Sequence, residues 1–292
     1  MILGPDRMGV IRNIRQAFEE GRFNDKVETA DPVLSPDEKE QLLRGFVHMR
    51  QSPLYPLGSW WVEQVVKGGE NHLVRLHTTF DGQEKLDGLE GGAIFTSNHF
   101  NHLDPTIVRT FARQHGHGHL YIVVGENSLL LPGLLGKMVD HADILLLSTD
   151  RSYLRSYFLP RVREILSDGG WILIYPEQEM WWNYKRPRPG KRGAYWLAAD
   201  MRVPVVSCFT EQINEEKMDV EPFHHVRYVF HVLGVLEPDG KLGRREDSIR
   251  LAQEDWRLKV EAYERLYGRS INEPFSWRDI AGLEAPLTPS GS

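Results

Sequence analysis

The sequence has a single cysteine, no long apolar run and no excess of positive charge. Cys208 has no partner for an intramolecular disulfide, and its apolar surroundings at 203–209 predict a small core residue in a reducing, cytoplasmic setting. No run approaches the roughly 18 to 20 apolar residues that span a bilayer, and residues 1–10 are too polar for a signal peptide, so we expect a protein that is soluble or peripheral on a membrane. The balance of 35 basic against 41 acidic residues argues against a general nucleic-acid binder.

Several well-known motifs are also missing. The stretch 133–137 is too short for a phosphate-binding loop, Gly116-His117-Gly118 lacks the third glycine of a dinucleotide fingerprint, and no Gly-x-Ser-x-Gly elbow occurs. Neither Cys-x-x-Cys nor His-Glu-x-x-His is present, so we predict no metal site. The histidines at 115, 117 and 119 are interpreted as an exposed loop after a helix.

From residue 73 onward, short apolar runs alternate with longer mixed segments. The runs predict strands near 74–79, 93–97, 120–124, 143–147, 171–175, 204–209 and 227–233. Between and after them, the pattern predicts helices near 105–115, 151–167, 192–201 and 247–266. This alternation predicts an α/β fold, with a mostly parallel mixed sheet of about seven strands flanked by helices.

The first 72 residues have a different pattern and predict an N-terminal helical arm. One amphipathic helix is expected at 8–20, and a second begins at Ser35-Pro36-Asp37-Glu38, a cap followed by proline and early acids. The aromatic segment 55–62 suits a lipid interface, although packing on the core explains it equally well. We therefore divide the chain into a possible membrane-docking arm (1–72), an α/β core (73–236) and a C-terminal helix with a loose tail (237–292).

His99 and Asp104 lie in the hinge between a predicted strand and a predicted helix. A continuous helix would place the two side chains about 140° apart, so contact requires a non-helical loop between them. Asp104 before Pro105 fits a helix cap, which allows such a loop. A carboxylate on one imidazole nitrogen leaves the other nitrogen free to take a proton from a hydroxyl. The plainer alternative makes Asp104 a simple cap and His99 a turn residue.

Two further strand ends carry polar residues. Arg151 follows the strand near 143–147, where it can aim at a phosphate or carboxylate or form a surface salt bridge. Glu177 follows the strand near 171–175. A basic segment comes next, suited to an anionic headgroup or simply to a solvated loop: Lys185, Arg186, Arg188, Lys191 and Arg192.

The order of these pieces resembles the glycerolipid acyltransferase family typified by 1-acylglycerol-3-phosphate O-acyltransferase. The family's His-x-x-x-x-Asp signature, usually preceded by Asn, matches Asn98 through Asp104. A strand ending in arginine matches 144–151, and an apolar Val-Pro run matches 203–206. The family's Pro-Glu-Gly-Thr-Arg block is kept only as Pro176-Glu177, followed here by Gln178-Glu179-Met180, so the resemblance leaves the acceptor open.

This resemblance implies an O-acyltransferase that binds no cofactor and uses acyl-CoA or acyl carrier protein as donor and a lysolipid as acceptor. His99 is then the general base and Asp104 its orienting carboxylate. The predicted substrate-binding residues are Asn98, Arg151 and Glu177, together with Lys185, Arg186 and Lys191 of the basic segment, which could compensate for the family's missing arginine. An apolar groove at 129–135 would take the acyl chain. The protein would bind peripherally to the inner face of the membrane. The alternatives are a non-catalytic lipid-binding protein, a hydrolase, or transfer to a glycolipid.

Overall fold

The computed structural model describes residues 6–28, 35–62, 77–102, 104–126 and 143–284, together with residues 64, 74 and 129. One seven-stranded sheet forms its centre. The strands are β1 (Thr78–Asp81), β2 (Ala93–Thr96), β3 (Leu120–Gly125), β4 (Ile144–Leu147), β5 (Trp171–Ile174), β6 (Val205–Val220) and β7 (Phe223–Leu236). They lie in the order β1-β7-β6-β2-β5-β3-β4, and the β6/β7 pair is antiparallel while the other five pairs are parallel. The predicted mostly parallel mixed sheet is confirmed.

Helices flank this sheet, and their bounds agree with the sequence pattern to within a few residues. They are α1 (Arg7–Glu19), α2 (Pro36–Gln51), α3 (Asp104–Gln114), α4 (Arg151–Tyr153 continuing through a π-helical turn, Leu154–Phe158, into Leu159–Ser167), α5 (Gly193–Met201) and α6 (Arg244–Tyr267). The predicted start of α2 is confirmed: Ser35 and Glu38 exchange hydrogen bonds in a capping box. Within the described residues, no helix is long and apolar enough to cross a membrane.

Strand β2 lies at the middle of the sheet, and all four of its residues are buried. It pairs in parallel with β5 on one side and with β6 on the other, which explains why its sequence is a continuous apolar run. Ile94 packs into the hydrophobic cluster on one face and Phe95 into the cluster on the other. At the start of the strand, a Cβ on Gly92 would lie 2.2 Å from the carbonyl oxygen of Leu166, so α4 approaches β2 closely only because glycine is there.

The two N-terminal helices pack in different places. In α1, Ile11 and Ile14 are fully buried in the same hydrophobic cluster as Trp181 and Trp182. These two tryptophans are therefore core residues. In α2, Leu43 and Phe46 pack into the cluster that contains Ile94. The body of the protein therefore includes both helices.

The C-terminal segment is also part of this body as far as Glu284. Ile280 and Ala281 are fully buried and Leu283 nearly so, in the same cluster as α1. The sequence predicts a loose tail over the last twenty or so residues, whereas the structure packs those up to 284 against the core. Residues 285–292 lie outside the described part of the chain.

Candidate active site

The candidate site begins where β2 ends. Asn98 follows the strand and is only 1% exposed. Its Nδ2 donates to the carbonyl oxygen of Thr210 at 3.0 Å, and its Oδ1 accepts from the Thr210 amide at 2.8 Å. Both ends of the amide are thus used to fix this turn to β6. The sequence assigns Asn98 to substrate binding, which stays a prediction; the observed contacts position the residue that follows it.

His99 and Asp104 are in direct contact, as the sequence predicts. Nδ1 of His99 lies 2.9 Å from Oδ2 of Asp104, and a carboxylate only accepts, so this nitrogen carries the proton. The same Oδ2 accepts from the amides of Phe100 at 2.9 Å and Asn101 at 3.2 Å. The intervening residues form a loop and α3 begins at Asp104 itself, so the carboxylate closes the loop from the first residue of the helix.

The imidazole is the accessible member of the pair. The His99 side chain is 19% exposed, whereas that of Asp104 is 2% exposed. Among the residues that the structure describes, Nε2 of His99 has no hydrogen-bond partner. The arrangement therefore presents one basic nitrogen to a substrate while a buried carboxylate holds the opposite side of the ring.

Tyr175, directly after β5, is a site residue that the sequence analysis missed. Its ring stacks on the His99 imidazole, with centroids 4.1 Å apart and an angle of 14° between the planes. Burial, and next the charge of Asp104, raise the pKa of Tyr175 well above its ordinary value. The sequence contained one indication of this contact. If β5 is the parallel neighbour of β2, the residue that follows β5 lies beside the residues that follow β2.

Glu177 holds the His99 loop through a hydrogen bond to its backbone. Its Oε2 accepts from the backbone amide of His99 at 3.2 Å and from Nε of Arg188 at 3.0 Å, and its Oε1 accepts from the Arg188 amide at 2.9 Å. Glu177 and Arg188 are each only 3% exposed. The prediction that Glu177 positions an acceptor is untested, and its observed partners are the loop and Arg188.

Arg188 connects several segments around that loop. Its Nη1 donates to the carbonyl oxygen of Phe23 at 3.0 Å, and its Nη2 donates to those of Glu179 and, at 3.4 Å, His99. The guanidinium also lies over the Trp181 ring, 4.5 Å from its centroid. Burial lowers the pKa of Arg188, while the charge of Glu177 opposes this effect. Arg188 is a second supporting residue that the sequence analysis had placed only within a basic segment.

The other predicted binding cations lie in different environments. Arg186 is 1% exposed and donates to the carbonyl oxygens of 271, 273 and 274 and to Asp279. Lys185 lies over the Tyr267 ring, and burial lowers its pKa. Lys191 is exposed, as is Arg151 at the start of α4. Binding roles for these four residues stay predictions, and Lys191 and Arg151 are the two that face solvent.

The altered block at 176–180 has an unusual backbone. Gln178 has φ +69°, a left-handed conformation that glycine adopts without strain and other residues adopt at a cost. The residue at the position of the family's glycine therefore has a backbone conformation that glycine favours. Met180 stands where the family that the sequence resembles has arginine. Its side chain is only 8% exposed and carries no charge.

Two other sequence predictions bear on this region. Most of the groove predicted at 129–135 lies outside the described residues, apart from Leu129. Among the residues that are described, no group of three or more histidine, cysteine, aspartate or glutamate side chains is placed to hold a metal ion.

Comparison with known proteins points to one family. No curated protein matches this chain significantly. The family model described as Acyltransferase matches residues 77–211, a stretch that contains His99, Asp104, Tyr175, Glu177 and Arg188. This part of the chain is therefore similar to an acyltransferase domain, and acyl transfer is the general activity that the match supports.

Proposed function

We propose that this protein is an O-acyltransferase, similar to 1-acylglycerol-3-phosphate O-acyltransferase, that moves a fatty acyl group from a thioester to a hydroxyl of a lysophospholipid or related glycerolipid. The observation that carries this proposal is the His99–Asp104 contact, with Nε2 of the imidazole accessible. The match of residues 77–211 to an acyltransferase model supports the reaction type. The proposed donor is acyl-CoA or the acyl thioester of acyl carrier protein.

In the proposed reaction, Nε2 of His99 takes the proton of the acceptor hydroxyl as its oxygen attacks the thioester carbonyl. The Asp104 carboxylate stabilises the imidazolium that results, because it lies 2.9 Å from the opposite nitrogen. When the tetrahedral intermediate collapses, the carbon–sulfur bond breaks and the new ester bond remains. The proton on Nε2 then passes to the departing sulfur, so the imidazole returns to its starting state.

Arg151 is one of the two solvent-exposed cations among the predicted phosphate ligands. The ends of β2, β5 and β4 lie at the same edge of the sheet because these strands are parallel, and Arg151 follows β4 there. Three strand spacings separate β2 from β4, about 14 Å. Arg151 and Arg155 line a shallow depression with Ser152 and Ser156, which suits an anionic headgroup held away from the reacting hydroxyl.

A glycolipid is the second candidate acceptor, and the altered block at 176–180 favours it. The donors of Arg186 and Arg188 are directed at backbone carbonyls and buried carboxylates, and Met180 replaces the family's arginine. A neutral sugar hydroxyl needs no guanidinium at this place, whereas a phosphate monoester gains from one.

An acceptor screen tests the proposed activity. Purified protein receives labelled acyl-CoA with lysophosphatidate, other lysophospholipids or glycolipids, and we expect label in the acylated product of one class. Labelled free fatty acid without any acceptor would instead identify a hydrolase. Vesicle binding without consumption of the acyl thioester, whether acyl-CoA or acyl-loaded carrier protein, would contradict the enzymatic proposal. It would identify a non-catalytic lipid-binding protein.

A membrane surface is the proposed source of the acceptor, with the protein cytoplasmic and bound peripherally at the inner face. The helical segment 55–62 and the residues before it expose large apolar side chains: Leu54, Leu57, Trp60 and Trp61, at 72%, 59%, 50% and 60%. Exposed tryptophans of this kind suit the boundary between lipid headgroups and acyl chains.

The Trp60→Ala/Trp61→Ala double variant tests this surface. Loss of two interfacial rings is expected to weaken binding to phosphatidylglycerol vesicles by about tenfold or more, since 1.4 kcal/mol of lost burial is tenfold in affinity. Co-sedimentation with vesicles measures the change. Trp196→Ala, which removes a tryptophan that is 38% exposed on α5, is the matched control and should bind as the parent does. Equal binding by all three proteins would contradict the proposed docking surface.

A further inference from the structure

Tyr175 occupies a position that neither the sequence pattern nor the acyl-transfer scheme explains. It is only 8% exposed, yet its ring lies flat against the His99 imidazole, whose side chain is 19% exposed. Stacking at 4.1 Å with planes 14° apart restricts rotation of the His99 ring about its own axis. One face of the general base is thereby fixed by β5, the strand next to the one that carries the base.

The hydroxyl of Tyr175 is the second unusual feature. It is buried and, among the described residues, has no hydrogen-bond partner; Oδ1 of Asp104 is in the same condition. Oδ2 of that carboxylate already accepts from His99, Phe100 and Asn101, so Oδ1 is the oxygen left to receive another donor. The pKa of Tyr175 is raised by burial first, and then by the charge of Asp104 and a side-chain interaction with that carboxylate, so the phenol faces Asp104.

We propose that Tyr175 is a positioning residue for the acyl transfer proposed above. Its ring holds the imidazole plane, and its hydroxyl donates to Oδ1 of Asp104 in the reacting complex. Catalytic hydrogen bonds are often open in an unliganded enzyme and close only when substrate is bound, which accounts for the unpaired state of both atoms here. The phenol offsets part of the negative charge that Asp104 directs at the imidazole.

Several other groups act on this cluster and are common to all variants. Glu177 accepts from the His99 amide, and Arg188 lies behind Glu177. Arg109 and Cys208 act electrostatically on Tyr175, and Asp104 acts on Tyr228. Because these groups are unchanged by substitution at 175, a change in the pH profile of such a variant reports on Tyr175 itself.

Two substitutions separate the ring from the hydroxyl. Tyr175→Phe keeps the stacked ring and is expected to lower kcat about threefold to tenfold, the equivalent of one hydrogen bond. Without the donor, Asp104 stabilises the imidazolium more strongly, so the acid limb of the pH–rate profile moves to higher pH. Tyr175→Leu also removes the stack and is expected to lower kcat further, with KM for the acyl-CoA and acceptor little changed.

Tyr153→Phe is the matched control, because Tyr153 is equally buried at 8% and donates to the carbonyl oxygen of Leu146 at 3.0 Å, on the helix that follows β4, three strands away from β2. It should leave the pH profile unchanged. The inference is overturned if Tyr175→Phe and Tyr175→Leu retain parental kcat and pH profile, or if Tyr175→Phe shifts the profile no more than Tyr153→Phe does. A parent protein that transfers no acyl group from any donor would instead refute the proposed function, and this inference with it. Tyr175→Phe keeps the test valid even where Tyr175→Leu fails to fold.

Discussion

Replacing His99 with alanine is expected to reduce acyl transfer by about 10²- to 10⁴-fold, the usual contribution of a general base. The imidazole is the accessible base of the site, and alanine supplies no group that takes the hydroxyl proton. The fold should persist because the His99 side chain is partly exposed. The loop is also held by backbone hydrogen bonds, among them the one that the Trp181 amide donates to the His99 carbonyl oxygen at 3.1 Å. Steady-state rates with labelled acyl-CoA, together with circular dichroism, measure both results.

The chain offers a matched control for this substitution. His119 forms a similar pair, with Nδ1 2.8 Å from Oδ2 of Asp143, at the other end of β3 from the site edge. His119→Ala removes an imidazole with a carboxylate partner and should leave the rate unchanged. A His99→Ala protein that transfers acyl groups at the parental rate would remove the dyad from the mechanism.

The Arg188→Met substitution is expected to lower the free energy of unfolding by about 3 to 5 kcal/mol, the typical cost of leaving one member of a buried ion pair without its partner. Glu177 would then keep a buried charge whose remaining donors are the backbone amides of His99 and position 188. Activity should fall as well, because the same pair supports the His99 loop. Urea unfolding followed by tryptophan fluorescence measures the change.

Two comparisons make this result specific. Arg257→Met removes an arginine that pairs with Glu254 and Glu261 at the surface, where water screens the charges, so stability should change little. In the Glu177→Gln/Arg188→Met double variant the buried charge is also gone, and part of the lost stability should return. Equal stability of Arg188→Met and Arg257→Met would show that the buried pair does not hold the loop.

Much of the site follows from local sequence. The four-residue β2 run, the polar stop after it and the Asp-Pro helix start are short-range features, and they place His99 and Asp104 only five residues apart. Spacing alone allowed this contact, which the structure has at 2.9 Å, but left the plainer alternative open; the family resemblance favoured the pair. The end of β5 at Ile174 and the start of α4 at Arg151 were predicted for the same reason, because apolar periodicity and capping are local properties.

The antiparallel pair β6 and β7 shows where this approach stops. Apolar runs predict strands at 204–209 and 227–233, whereas the ladder extends over Val205–Val220 and Phe223–Leu236. The part added to β6 is rich in acids and largely exposed, and its strand geometry comes from pairing across the hairpin. Backbone pairing of this kind needs no buried side chains and therefore leaves no apolar signal.

By itself, the sequence determined the α/β class, the ends of β2, β4 and β5 to within a residue or two, and the spacing that allows the histidine–aspartate pair, because each depends on residues close together in the chain. Only the tertiary structure decided what surrounds that pair. Glu177 reaches the His99 amide across 78 positions, and Arg186 and Arg188, grouped in one basic segment by sequence, lie buried against different partners. Tyr175 stacks on His99 because β5 happens to adjoin β2. Contacts of this range depend on strand order and burial, which residue spacing does not encode.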